Sequence, residues 1–133
     1  MNMGRVVAWV SRHKPLPAQI RYLKRKLGND VNVVQIPKTF TDVKEIYEDV
    51  VSAGADVAVV VLPLSMIACL VERYKDVVWL MAEMEPVHDS CPGVNCPYFD
   101  PDRDVILPGV AIRHMRFKKF VRVKEVRVVK EDW

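Results

Sequence analysis

The sequence predicts an α/β protein with a Rossmann-like three-layer core, in which a mainly parallel sheet of order βαβαβαβ is followed by a C-terminal β-hairpin. Short Val-rich runs alternate with stretches of helical periodicity as far as residue 84. Such alternation, with short connections, is typical of parallel sheets with right-handed crossovers. The chain has 133 residues, half of them hydrophobic, which is enough for one core. We therefore expect a single domain over residues 1–133.

The first strand and the first helix are marked by their composition and by residues typical of helix boundaries. The run 5–10 is rich in Val and contains Trp, as buried strands often are. Pro17 suits the first turn of a helix, and Leu23 and Leu27 then recur on one face. Gly28 follows, where glycine commonly ends a helix.

The other core elements follow from apolar runs and helical spacing. They are a strand at 31–36, a helix from 43 to Gly54, a strand at 56–62, a helix at 64–74 and a strand at 77–84. Thr41 is predicted as the N-cap of the second helix, because its hydroxyl can accept a free backbone N–H. The strand at 56–62 is continuously apolar, which indicates burial on both faces.

The last third of the chain differs in pattern from the core. Residues 86–109 contain five prolines and two glycines and are predicted to form a long loop. Loops of this length in a small domain are usually functional or flexible. Residues 110–130 alternate apolar and basic side chains, which predicts two basic C-terminal strands, either a hairpin with its bend at Lys118 and Lys119 or two short strands that extend the sheet.

The charges are strongly segregated along the chain. Residues 1–30 hold seven Lys or Arg and one acid, a net charge of +6, and residues 113–133 hold eight against three, a net charge of +5. Residues 31–112 hold five Lys or Arg against thirteen acids, a net charge of −8. If the two ends meet, they form a positive surface suited to a phosphate-rich ligand; otherwise they merely balance the acidic middle.

No membrane-spanning or targeting segment is expected. The longest apolar stretch, residues 57–71, is interrupted by Pro63 and Ser65 and is too short to span a bilayer. We therefore predict a cytoplasmic protein with no membrane partner. The abundance of Val, Lys, Arg and Glu beside only two glutamines favours a thermophilic source.

The loops that follow the strands carry the candidate binding residues, because ligands of open α/β sheets bind outside the carboxyl ends of the strands. The first loop holds Arg12, His13 and Lys14 and opens a helix whose N-terminal amides favour anions. His13 is either a solvated loop residue or a phosphate ligand or acid/base group. Ser65, after the third strand, is either a ligand contact or a helix N-cap. Because the chain has neither GxGxxG nor a Walker motif, no nucleotide cofactor is predicted.

The predicted long loop contains the pattern H-x2-C-x4-C, formed by His88, Cys91 and Cys96. A zinc site usually has four ligands, so the fourth would have to be His114 or an aspartate of the loop. A Cys91–Cys96 disulfide is an alternative, credible inside cells mainly in hyperthermophiles. Two free thiols are the main interpretation, and no metal is included in the predicted site.

The C-terminal stretch "RHMRFKKFVRV" interleaves basic and aromatic residues. Surfaces that bind nucleic acids often have this composition. A solvent-facing edge strand protected by cations would have it as well, so composition does not separate the two interpretations.

The stretches "SRHKPLPAQIRYLKRKLG" and "RHMRFKKF" each resemble a part of the small CRISPR-associated ring nucleases and their CARF-like (CRISPR-associated Rossmann-fold) relatives. "SRHKPLPAQIRYLKRKLG" is similar to the opening of those proteins in its His13-x5-Gln19 spacing and its Leu27-Gly28 ending. "RHMRFKKF" resembles the basic-aromatic ending of some of them.

The resemblance implies a homodimer that binds a cyclic oligoadenylate second messenger across its two-fold axis in CRISPR antiviral signalling. It also implies metal-independent cleavage, in which a ribose 2′-hydroxyl attacks the neighbouring phosphate, a reaction that needs positioning and positive charge. The predicted catalytic residues are His13, Lys14 and His114. The predicted ligand-binding residues are Ser11, Arg12, Gln19, Ser65, Arg113 and Arg116.

Two functions of other classes remain open on the sequence. The main alternative is a non-enzymatic nucleic-acid-binding or regulatory protein that uses the basic C-terminal strands. The other is a structural or assembly protein whose basic segment contacts an acidic partner.

Overall fold

Six strands and three helices make up the computed structural model, which describes residues 4–88, 91–93, 95–109 and 112–133. In chain order they are β1 (Val6–Val10), α1 (Pro17–Leu27), β2 (Asn32–Gln35), α2 (Val43–Ser52), β3 (Val57–Val60), α3 (Leu64–Arg73), β4 (Val78–Pro86), β5 (Asp104–Leu107) and β6 (Arg113–Arg122). Positions 89, 90 and 94 of the predicted loop and positions 110 and 111 of the predicted hairpin lie outside the described residues.

All six strands join in one sheet of order β2-β1-β3-β4-β6-β5. The β1 strand pairs in parallel with β2 and β3, and β3 pairs in parallel with β4. The β6 strand is antiparallel to both of its neighbours, β4 and β5. The first seven elements therefore occur in the order that the sequence pattern indicates, but the last two strands run against that parallel set.

The prediction of a Rossmann-like three-layer core with a mainly parallel sheet is wrong. The longest pairing of the sheet is antiparallel: β4 and β6 are matched over seven positions, against three or four in each parallel pair. The fold is a mixed α/β structure whose sheet curls into a half-barrel and carries three helices in the described part of the chain. A register irregularity between Glu83 and Met84 lies in this pairing, and such bulges bend a strand and increase its twist.

The predicted C-terminal hairpin is also wrong. Residues 113–122 form the single strand β6, so Lys118 and Lys119 lie within a strand and not at a bend. The hairpin partner of β6 is β5, which lies inside the segment predicted as a loop. Because β5 has only four residues and prolines flank it, its alternation is too short to be recognised from sequence.

The two faces of the sheet bury different helices. Val7 and Trp9 pack on the face that carries α1, together with Phe117 and Phe120 of β6. Ala8 and the other inward residues of the opposite face pack against α2 and α3. Alternate residues of β1 thus contribute to two separate clusters, as the side-chain period of a strand requires.

No helix in the described ranges combines the length and the apolar content needed to cross a bilayer. The longest of them, α1, has eleven residues, whereas a span takes about 20. The cytoplasmic location stays a prediction.

Helix α2 is capped by Asp42 and not by Thr41, the residue that the sequence pattern favours. The Asp42 side chain accepts the backbone N–H of Lys44 at 2.9 Å. Asp42→Ala is therefore expected to lower the free energy of unfolding by about 1 kcal/mol in urea denaturation. Thr41→Ala is the control and should change it by less than about 0.5 kcal/mol. A larger loss for Thr41→Ala would contradict the assignment of the cap.

Candidate functional site

The loop after β1 holds four of the predicted site residues, and its backbone is fixed by hydrogen bonds. Ser11 is buried, and its hydroxyl accepts the backbone N–H of His13 at 3.1 Å. The indole N–H of Trp9 donates to the carbonyl of His13 at 2.8 Å. The side chains of Arg12, His13 and Lys14 are exposed. The loop therefore presents three basic or titratable groups to solvent from an ordered backbone.

Two further predicted site residues, Gln19 and Ser65, lie in different environments. Gln19 is buried, and its side-chain oxygen accepts the backbone N–H of Leu16 at 2.8 Å, which fixes the start of α1. Ser65 is exposed on the first turn of α3. Because β1 and β3 are parallel and Val10 is opposite Val60, the loops that carry Ser11 and Ser65 leave the same edge of the sheet.

Strand β6 carries the other three predicted residues, in three environments. Arg113 is exposed at the start of the strand. His114 is fully buried, and its Nε2 lies 2.7 Å from a carboxylate oxygen of Asp104. Arg116 donates to both oxygens of that carboxylate, at 2.7 and 3.0 Å. The side chains of His114 and Arg116 are therefore directed at Asp104.

Asp104 remains ionised in this buried position. Burial by itself would raise its pKa, but the hydrogen bonds from Arg116 and His114 and from the backbone N–H of Asp100 outweigh that effect. They hold the pKa of the Asp104 carboxyl well below its usual range. An ionised Asp104 accepts a hydrogen bond from the Nε2–H of His114, and Nδ1 of the same ring faces His88 and Cys96.

A cleft of about 580 Å³ lies between α1 and β6. Tyr22 of α1 packs edge-on against Phe117 and Phe120 of β6, with ring centroids 5.9 and 5.4 Å apart. Both Tyr22 and Phe117 line the cleft. The N-terminal and C-terminal basic segments of the chain therefore meet in space, which their sequence positions alone could not establish.

The charges in this cleft are only partly compensated. Arg21 pairs with Asp102, and Arg103 pairs with Asp100. Three further cations line the cleft without an ion pair to any residue that the structure describes, and these are Lys24, Arg25 and Lys118. We call these three residues the cleft cations. The guanidinium of Arg25 also lies 5.5 Å from the centre of the Tyr22 ring.

The residues of the H-x2-C-x4-C pattern are brought together with His114. The ligand atoms of the four side chains, those of His88, Cys91, Cys96 and His114, all lie within 4.8 Å of one another. No disulfide links Cys91 to Cys96, and both are free thiols like Cys69. We call these four residues the Cys2His2 cluster.

Nothing in the sequence pattern marks Asp104, Lys24 or Arg25 as a site residue, and Lys118 was predicted to lie at the bend of a hairpin. Asp104 lies among other acids in "FDPDRD", a composition typical of solvated loops, and nothing local marks it as buried. The cleft cations belong to the two basic segments that the charge count did identify, but their proximity depends on how α1 packs against β6.

Comparisons with protein-family models, with curated proteins and with solved structures find no match for this chain. The resemblance to ring nucleases therefore stays a prediction.

Proposed function

We propose that this protein binds the phosphate backbone of a short oligoribonucleotide in the cleft between α1 and β6. One observation carries the proposal: the two basic ends of the chain meet there, and the cleft cations are left without acidic partners in the described structure. A concave site with uncompensated positive charge concentrates anions, and phosphates are the commonest polyvalent ones.

The walls of the cleft favour a single-stranded ligand. Tyr22, which is only partly buried, offers aromatic surface beside the cleft cations, whereas Phe117 lines the cleft but is itself buried. Proteins that bind single strands combine a positive groove with aromatic side chains on which bases stack. A short oligoribonucleotide can present phosphates to Lys24 and Lys118 while a base contacts the aromatic wall.

Cyclic oligoadenylate is the member of this ligand class that the family resemblance favours, and its ring would be held between two copies of the chain. For cleavage, the bond from the ribose 2′-oxygen to phosphorus forms and the bond to the 5′-oxygen breaks. The 2′-hydroxyl proton ends on the leaving 5′-oxygen. His13 is the acid/base residue favoured for moving that proton, because it is exposed whereas His114 is buried against Asp104. Lys14 would then stabilise the developing charge. Neither His13 nor Lys14 lines the cleft, so cleavage requires a ligand that extends from the cleft past the start of α1 to the loop after β1.

Fluorescence polarisation with labelled hexa-adenylate RNA and with cyclic tetra- and hexa-adenylate tests the proposal. The variant Lys24→Ala/Arg25→Ala/Lys118→Ala is expected to bind at least ~10-fold more weakly than the parent, because three phosphate contacts are lost. The slope of log K against log salt should decrease in magnitude by about 2, at ~0.7 for each contact to a single strand. Gel analysis of the same mixtures, without added divalent cations, reads out cleavage and its loss in His13→Ala.

The control is Lys44→Ala/Arg73→Ala/Lys75→Ala, which removes the same charge from the α2 and α3 face of the sheet. This variant should keep the affinity and the salt slope of the parent. Equal weakening in both triple variants would mean that only net charge matters and would refute the cleft. Failure of the parent to bind any of the three ligands would refute the function.

A further inference from the structure

We propose that His88, Cys91, Cys96 and His114 bind one zinc ion in a closed structural site. This inference is independent of oligoribonucleotide binding. None of the four residues lines the cleft between α1 and β6. His114 lies on β6, and the other three belong to the segment that follows β4.

Strand register brings the two histidines together. Pro86 is opposite Met115 in the β4–β6 pairing, and the next backbone N–H, that of Val87, donates to the carbonyl of His114 at 2.9 Å. One residue further along, His88 therefore lies beside His114, and Nε2 of His88 is 3.1 Å from Nδ1 of His114.

The two cysteines complete the cluster from the loop. Cys96 is buried, and its Sγ lies 3.4 Å from Nε2 of His88 and 3.5 Å from Nδ1 of His114. Cys91 reaches the cluster from the described segment 91–93, in which Gly93 has a φ of 92°, a conformation that favours glycine. The backbone N–H of Gly93 donates to Sγ of Cys91 at 3.4 Å.

The separations among three of the four ligand atoms are close to those of a tetrahedral metal site, and Sγ of Cys91 lies within 4.8 Å of the other three. Zinc bonds of about 2.0 Å to nitrogen and about 2.3 Å to sulfur place tetrahedral ligand atoms roughly 3.3 to 3.8 Å apart. The three distances among His88, Cys96 and His114 span 3.1 to 3.5 Å. A tetrahedral set of two sulfurs and two imidazoles favours zinc over the harder cations, which prefer oxygen ligands.

The surroundings of His114 also have the form that a zinc ligand requires. Ligating histidines usually donate their second ring N–H to a carboxylate, which fixes the tautomer and aims the other nitrogen at the metal. His114 has this arrangement, because its Nε2 is directed at Asp104 and its Nδ1 faces the cluster. Arg116 donates to both oxygens of Asp104, so the carboxylate that orients His114 is itself fixed in position.

Four protein ligands leave no open position for water, which makes the site structural rather than catalytic. Binding converts two thiols to thiolates, so that one Zn²⁺ enters, two protons leave and the net charge of the site is unchanged. The metal would tie the proline-rich segment after β4 to strand β6, and so would hold β5 and Asp104 in place.

The test uses the full chain, stripped with a chelator and titrated first with Co²⁺ and then with Zn²⁺. We expect one equivalent of each metal, visible absorption of tetrahedral cobalt with a thiolate charge-transfer band, its replacement by zinc, and about two protons released per metal near neutral pH. Cys91→Ser and Cys96→Ser should lose at least ~100-fold in zinc affinity, whereas Cys69→Ser, which removes the third thiol from α3, should bind like the parent.

X-ray absorption of the unmodified zinc-loaded protein covers the case in which the cysteine variants do not fold. It should show two sulfur neighbours at about 2.3 Å and two nitrogen neighbours at about 2.0 Å. A shell of nitrogen and oxygen alone would overturn the proposal. So would a parent protein that takes up no metal, or a Cys69→Ser variant that loses as much affinity as Cys91→Ser.

Discussion

Replacement of Phe120 by alanine is expected to lower the free energy of unfolding by about 4 kcal/mol. Phe120 is buried on the α1 face of the sheet and contacts three other aromatic rings. Its ring centroid lies 4.9 Å from that of Phe117, 5.4 Å from that of Tyr22 and 6.0 Å from that of Trp9. Truncation removes these contacts and leaves a cavity that neighbours fixed to β1, α1 and β6 cannot fill.

Urea denaturation monitored by circular dichroism measures this effect. Phe120→Leu should lose less than half as much, because most of the buried volume remains. Val129→Ala removes an apolar side chain that is 96% exposed in the C-terminal segment and should change stability by less than about 0.5 kcal/mol. If Phe120→Ala destabilised the protein no more than Val129→Ala, the aromatic cluster would not hold α1 against β6.

The same substitution connects stability with the proposed function. The cleft cations are contributed by α1 and β6, and the aromatic rings are the main contact between these two elements. Phe120→Ala, studied at a temperature where it is folded, is therefore expected to bind oligoribonucleotide more weakly although it keeps every cation. This loss should come without a change in the number of phosphate contacts, and hence with a salt slope close to that of the parent.

The elements of the first two thirds of the chain could be predicted because their determinants are local. Helix α1 begins at Pro17 and ends before Gly28, whose φ of 110° is a conformation that favours glycine. Strand β3 is buried along its whole length, as its continuous apolar run indicates. These features depend on neighbours within a few residues, so the sequence pattern contains them.

The architecture could not be predicted in the same way, because strand pairing is not local. The alternation in residues 113–122 identifies a strand, but nothing in it specifies that the partners are β4 and β5 or that both run antiparallel to it. The Rossmann-like prediction treated the first four strands as a mainly parallel core and added the basic segment as a separate hairpin. The sheet is instead a curled half-barrel of six strands, in which β6 pairs antiparallel with both β4 and β5.

The candidate sites could be predicted only in part, because they also depend on strand pairing, which is not local. The spacing of His88, Cys91 and Cys96 left zinc open beside a disulfide and two free thiols, and His114 was one possible fourth ligand. The choice of His114 over the loop aspartates depends on the β4–β6 register, which sequence does not give. Arg116 was predicted as a ligand-binding residue from the basic-aromatic stretch that resembles the ending of the family, whereas its cross-strand partner in the structure is Asp104.

Asp104 is the residue whose replacement links the fold with the proposed metal site. Asp104→Asn is expected to lower the free energy of unfolding by about 3 kcal/mol, because it leaves the partly buried guanidinium of Arg116 without its counter-charge. The carboxylate is fully buried and accepts three side-chain hydrogen bonds, from His114 and from two nitrogens of Arg116. An asparagine of similar size places an NH2 group against these donors and has no charge to offset the guanidinium.

Two unfolding experiments separate the contributions of Asp104, one on zinc-free protein and one on zinc-loaded protein. The ion pair with Arg116 exists without the metal, so destabilisation is expected in both. The loaded protein should also show a 10- to 100-fold weaker affinity for zinc, the usual effect of losing the carboxylate behind a ligating histidine. Asp102→Asn is the matched control, because Asp102 also pairs with an arginine through two contacts but at the surface, where an ion pair contributes little. Destabilisation confined to the zinc-loaded protein would mean that Asp104 acts only through His114, whereas equal loss in both states with unchanged zinc affinity would remove it from the metal site.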